Sequence, residues 1–237
     1  MAAPTIDGSV GDQRSTASSG TVTLTTTQTN DIIIIVAYCE NPGSAAPTVT
    51  SVTGGGLTFA LRCRSNGSSH GNLEVWWALA PSALSSVTFT VNYTGTFDDA
   101  TFLAYGVHGC NTAAPWDSNA GLPQKQSYNG AATPSFTLNT SQSDDLILFS
   151  NGVLASSSAI PADPSGFTNI TSKSNGGGAA AASSRSSCKG VTSVQSGVTV
   201  AASAAGSGNN GGECILDVLT ANSAVIPQRR PQVFTMC

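Results

Sequence analysis

Val22-Thr-Leu-Thr-Thr-Thr-Gln-Thr-Asn-Asp-Ile-Ile-Ile-Ile-Val36 is the stretch whose reading decides the fold. A near copy, Phe136-Thr-Leu-Asn-Thr-Ser-Gln-Ser-Asp-Asp-Leu-Ile-Leu-Phe149, follows 114 positions later. Six aligned pairs are identical: Thr23/Thr137, Leu24/Leu138, Thr26/Thr140, Gln28/Gln142, Asp31/Asp145 and Ile33/Ile147. Each copy has a short alternating segment, a polar turn ending in an acid, and then a continuous apolar run. Alternation predicts a half-buried strand, and a short Ile/Val run predicts a strand buried on both faces. Four consecutive β-branched residues argue against a helix, where they lose rotamer freedom.

Outward from these copies the chain reads as short strands between turn signals. In the first half, Thr48–Val52, Leu57–Cys63, Leu73–Leu79, Val87–Tyr93 and Ala100–Val107 are expected strands, with Gly54-Gly55-Gly56 as a hairpin or bulge. The second half runs through Asp145–Ser150, Gly166–Ser172, Ala179–Ser187, Val191–Ala202 and Glu213–Leu219. The alanines at 179–182 have helix propensity, but flanking Gly and Ser runs argue against a helix. The expected division is an N-terminal arm over 1–20, a first β half over 21–110 and a connection over 111–134. A second β half over 135–222 and a C-terminal tail over 223–237 follow. Each half holds about six strands, and the second either shares one sandwich with the first or forms its own. The expected fold class is all-β, an antiparallel, jelly-roll-like sandwich.

Only 9% of the 237 residues are charged, against roughly 25% in ordinary globular proteins. The net charge of −4 gives no footprint for nucleic acid. No apolar stretch approaches the ~20 residues that span a bilayer, so no membrane partner is expected. Met1–Gly20 lacks the apolar core of a signal peptide, which implies synthesis in a cytoplasm without cleaved export. The six cysteines contain no C-x-x-C pair. Cys39 and Cys214 flank apolar runs and read as buried thiols. Cys237 ends a polar tail and is a candidate for an intermolecular disulfide in an oxidising environment.

Candidate chemistry is sparse. His70 lies in a Ser-Ser-His-Gly turn and His108 near a strand end, with no G-x-S-x-G elbow to complete a hydrolase. The pairs Asp98-Asp99 and Asp144-Asp145 stand before strands. Paired carboxylates serve glycoside hydrolysis or calcium, but the favoured reading is that they cap turns and keep loops solvated. Trp76 and Trp77 are neighbours in a strand and must face opposite ways. One is expected in the core, and the other is a candidate anchor for a sugar or a protein. Arg229-Arg230, bracketed by prolines, reads either as a segment that docks on an acidic partner, with Arg62 and Arg64 as further candidates, or as a solvated tail. Neither glycine triplet carries the Lys-Ser/Thr of a phosphate loop, so no cofactor is expected and the chain reads as non-enzymatic.

The series Asp31-Ile-Ile-Ile-Ile-Val-Ala, Pro47-Thr-Val-Thr-Ser-Val-Thr, Leu73-Glu-Val-Trp-Trp-Ala-Leu-Ala-Pro, Val87-Thr-Phe-Thr-Val, Ala100-Thr-Phe-Leu-Ala-Tyr-Gly-Val and Pro115-Trp-Asp resembles a group of Thr/Gly-rich β-sandwich structural proteins. That group occurs in tailed-bacteriophage virions and on bacterial surfaces. The resemblance covers residues 20–222 and extends to Asp145-Leu-Ile-Leu and Gly166-Phe-Thr. It implies a structural or adhesive module and carries no catalytic residues. The first expectation is a virion protein, either a capsid decoration or a head-fibre type. Its partners would be the shell or neighbouring copies in a homo-oligomer. The alternative is a tail- or fibre-associated adhesin that binds a host glycan.

Overall fold

A computed structural model describes residues 3–41, 44–67, 71–129, 134–155, 160–175, 181–202 and 209–222. Among them there are thirteen strands and no helix. The first half holds β1 (Thr5–Leu24), β2 (Asp31–Glu40), β3 (Val49–Thr53), β4 (Ala60–Ser65), β5 (Gly71–Ala80) and β6 (Val87–His108). The second holds β7 (Gln124–Tyr128), β8 (Ser135–Leu138), β9 (Leu146–Ala155), β10 (Thr168–Ser174), β11 (Ala181–Gly190), β12 (Val198–Ala201) and β13 (Asn209–Leu219).

Two large antiparallel sheets stack face to face. One runs β1-β6-β2-β5-β4, with β3 added on β6; the other runs β10-β11-β9-β13-β7. β8 and β12 form a small separate ladder. The quoted run sits at the centre. β2 is hydrogen-bonded to β6 on one side and β5 on the other, and every residue of it is buried. Its side chains alternate between two cores. Ile33 and Ile35 join Phe89, Val91 and Phe102 on the outer side. Ile32, Ile34 and Val36 join Leu103, Leu146, Leu148 and Ile215 between the two large sheets. A third core packs Ile147, Phe149, Leu216 and Val218 against Phe136, Leu138 and Val200. A central strand buried on both faces has to be apolar throughout, which is why no alternation is visible there. Ile33→Asp is therefore expected to leave no soluble, cooperatively folding protein. It places an unpaired charge in this core, at a cost above about 4 kcal/mol. A urea transition like that of the parent would refute the placement.

Two expectations change. The arm over 1–20 is a strand: β1 begins at Thr5 and pairs with β6 down to Leu24. It lacks apolar patterning because its first part is held by backbone hydrogen bonds at a sheet edge. There most side chains face water, and the register slips at Gly8 and again between Ala17 and Ser19, with Gly8 and Thr16 at positive φ. The connection over 111–134 contains β7, and Trp116 bridges to Leu219. The expected strand over the alanines is there: from Ala181 onward they lie in β11.

The packing between the sheets has an internal order. β1 lies over β10, β6 over β11, β2 over β9, β5 over β13 and β4 over β7. Exchanging β1 with β7, β6 with β13, β2 with β9, β5 with β11 and β4 with β10 returns the same set of contacts. That is the pattern of an isologous, two-fold interface. Local geometry runs in parallel. Asn30 and Asp144, 114 residues apart, both have φ of 61°. The Thr26 and Thr140 hydroxyls accept from the backbone N–H of Leu84 and Gln195, and the N–H of each threonine returns a bond to the same residue's carbonyl.

Candidate functional site

The charges that sequence reading assigned to loops or partners are mostly built into the body. Glu74 is fully buried in the middle of β5. Its carboxylate accepts from the Val49 N–H at 2.8 Å, the Arg64 guanidinium at 2.9 and 3.2 Å, the Asn72 amide at 2.9 Å and the Trp76 indole N–H at 2.9 Å. Arg62 grips Asp217 of the opposite sheet through two bonds, 2.7 and 3.1 Å, and lies 4.6 Å over the Trp116 ring. Arg185 pairs with Asp163 at 2.6 Å. Arg62 and Arg64 are therefore not free for an acidic partner. The signal for these pairs was present: a lone charge between apolar neighbours, as in Leu73-Glu74-Val75 and Leu216-Asp217-Val218, marks a buried ion that needs a partner.

The acidic pairs depart from solvated turn caps. Asp98 and Asp99 sit inside β6, and Asp99 accepts from the Asn175 amide of the other half. Asp31 and Asp145 are fully buried. Their neighbours do the capping. Asp7 accepts from the N–H groups of Thr27 and Gln28, both at 2.7 Å, and Asp117 accepts from those of Ser141 and Asn119 at 2.8 and 2.7 Å. Each half thus sets a buried carboxyl beside a capping carboxylate. Burial, then the nearby Asp7, raises Asp31, and the His108 ring, with Nδ1 3.1 Å from Asp31 Oδ1, opposes that. Burial, then Asp117, pushes Asp145 up to about 7. Glu40 is also fully buried, neither of its oxygens has a hydrogen-bond partner, and burial followed by Asp99 and Asp98 pushes it to about 8. Among the described residues no three His, Cys, Asp or Glu side chains gather as metal ligands. His70 lies outside the described residues.

Trp76 and Trp77 do face opposite sides, one toward the outer core and one toward the core between the sheets. Both are half-buried. Trp76 is tied to Glu74, and Trp77 meets Trp116 edge-to-face with ring centroids 6.0 Å apart. Neither stands out as a bare platform. Cys39, Cys63, Cys110 and Cys214 are buried free thiols and Cys188 is half-buried. Arg229, Arg230 and Cys237 lie outside the described residues.

One concavity was not foreseen. A cleft of about 720 Å³ opens at the end of β5, between the Gly54–Thr58 turn and the Pro81–Val87 loop. Its walls include Leu57, Trp77, Leu79, Pro81, Leu84 and Val87, and no lining residue carries a charge. Leu79 is 37% exposed. The Gly54, Gly55 and Gly56 backbones all have positive φ, so this turn needs glycine and leaves the rim without side chains. Such a surface binds apolar groups by excluding water and has no group suited to acid–base or nucleophilic chemistry.

Comparison of the chain with protein-family models, with curated proteins and with solved structures finds no match.

Proposed function

We propose that the chain is a non-enzymatic structural protein of a tailed-phage virion, a capsid decoration or head-fibre type that packs on the shell or on neighbouring copies. The observation that carries this reading is where the few charges go. Arg62, Arg64 and Arg185 are spent on internal carboxylates, and Lys125 Nζ donates to the Arg64 carbonyl. The outward faces carry few charges, Asp12, Arg14, Asp98 and Lys125 among them, beside many Ser and Thr. A surface with few ions loses little hydration free energy when it is covered, as dense packing against other subunits requires. The stacked sheets give such a surface a stiff support, and the sequence resemblance points the same way. The adhesin reading relied on an exposed tryptophan, and the settings of Trp76 and Trp77 lend it no such support.

The test is quantitative mass spectrometry of density-gradient-purified virions from the source of the sequence, with non-reducing and reducing electrophoresis in parallel. A fixed ratio of this chain to the major shell protein is expected. Bands that collapse on reduction would identify Cys237 as a covalent fastener. A chain found only in the soluble lysate, and absent from particles, would overturn the assignment.

A further inference from the structure

We infer that the cleft at the end of β5 is a binding site for one unbranched, uncharged alkyl chain, carried by a lipid-like small molecule. The observation behind this is what the second half of the chain does at the same place. The two glycine turns are equivalent. Leu57 N–H donates to the Gly54 carbonyl at 3.1 Å, and Phe167 N–H donates to the Pro164 carbonyl at 3.0 Å. Gly56 and Gly166, one residue earlier, have φ of 67° and 78°. The strand beside each turn is equivalent too. Ile33 of β2 pairs with Ala78 of β5, and its repeat counterpart Ile147 of β9 pairs with Lys189 of β11. Lys189 therefore stands where the first half has Ala78.

Lys189 is half-buried, and its end reaches the turn. A Cβ placed on Gly166 would lie 3.6 Å from Nζ and 3.9 Å from Cε. Its unbranched stem thus spans from strand to turn, as lysine stems do when they cover apolar surface. In the first half both ends of that span, Ala78 and the Gly55-Gly56 turn, line the cleft. A Cβ on Gly56 would meet nothing within 4 Å. One half supplies an alkyl stem of its own, and the other is left to take one from a ligand.

The walls define the rest of the chemistry. No lining residue is charged, so a charged group has no partner inside and stays at the mouth. Leu57, Trp77, Leu79 and Val87 offer apolar contact along the length. The volume of about 720 Å³ falls within the roughly 300–1,000 Å³ of small-molecule sites and exceeds what a single inserted side chain fills.

The experiment is isothermal titration calorimetry of the full chain with 1-butanol, 1-hexanol and 1-octanol. One site is expected, tightening about fourfold for each added CH₂. The branched isomer 2-propyl-1-pentanol is expected to bind at least tenfold more weakly than 1-octanol. Ala78→Lys, which copies the second half, is expected to abolish the site, and Lys189→Ala is expected to create a second one. Where Ala78→Lys lowers the urea midpoint, Ala78→Met fills the same span without a charge. Octanol binding that survives in the folded filled variant, or a single site in Lys189→Ala, would overturn the inference. N-acetyl-norleucine amide, which offers only four side-chain carbons, is expected to bind at least a hundredfold more weakly than 1-octanol. Equal binding would overturn the lipid-like reading and assign the cleft to a partner's side chain. The virion measurement above is independent of all of these results.

Discussion

Replacing Gly152 by Tyr is expected to destroy the native stack of sheets, and adding Tyr38→Gly to that chain is expected to restore much of it. Tyr38 and Gly152 are matched positions, 114 residues apart, on β2 and β9. Those strands lie over one another where the two-fold pattern of contacts has its axis. A side chain on such an axis meets its own counterpart, and two tyrosines do not fit in one place. A tyrosine facing a glycine does. Tyr38 is fully buried, and a Cβ placed on Gly152 would overlap its Cγ and Cδ2 atoms. Gly152→Ala alone should cost about 3 kcal/mol or more, because the ring is locked in a packed core and has nowhere to move. Gly152→Tyr should exceed the whole stability of the fold. Tyr38→Gly leaves a cavity and costs about 4 kcal/mol. The exchanged pair refills that cavity from the other side, so the double variant should be at least about 3 kcal/mol more stable than the sum of its parts. Gly152 does not have a positive φ, so its backbone accepts a side chain. Urea midpoints of the four chains decide the matter. An additive result, or a Gly152→Tyr chain as stable as the parent, would show that the axis lies elsewhere.

The same pair shows how much of the fold could be read in advance. The central strands were legible because four β-branched residues in a row have few other uses. Their stacking was not, since it depends on one large residue meeting one absent side chain, and no periodicity records that. The part of β1 from Thr5 to Gly20 was missed because a backbone ladder at a sheet edge leaves no apolar trace. β11 carries little apolar signal for a related reason. Its serines are buried, and small hydroxyls pair across strands and sheets: Ser184 with Thr101 at 2.7 Å, and Ser186 with Ser150 at 3.1 Å. Small side chains there let β11 lie close to β6. For the site, the alternation rule placed Trp76 and Trp77 on opposite faces. Their burial followed from partners far along the chain, Trp116 among them. The cleft is formed by two turns and a strand end that only the fold brings together.

The folded chain is also expected to be more stable at pH 5 than at pH 9. Two fully buried carboxyl groups set the sign. Glu40 moves from 4.5 to about 8 because it is buried and faces Asp99 and Asp98. Asp145 moves from 3.8 to about 7 because it is buried and faces Asp117. Both are raised, so the folded protein holds protons that the unfolded chain has already released. Their stabilisation is complete below about pH 4, declines as the pH rises, and is gone above the folded values, near pH 8 to 9. Asp31, Asp99 and Asp217 are raised by burial in the same direction. Asp7 runs the other way. Partial burial opposes it, but the Thr27 hydroxyl and the turn N–H groups hold it low, so its contribution is lost only in stronger acid, below pH 4. A tenfold change in proton affinity is worth about 1.4 kcal/mol. Discounted for water reaching the neighbouring acids, the loss between pH 5 and 9 is on the order of 5 kcal/mol. Glu40→Gln and Asp145→Asn should each flatten the profile and raise stability at pH 8.5 by about 2 kcal/mol while changing little at pH 5. The measurement is the urea midpoint at half-unit steps from pH 4 to 9. A midpoint that stays level or climbs over that range would mean that these carboxyls are ionised in the folded protein and find partners at no cost. The burial of Glu40 at the end of β2, beside Asp99 of β6 and with neither oxygen bonded, would then be wrong.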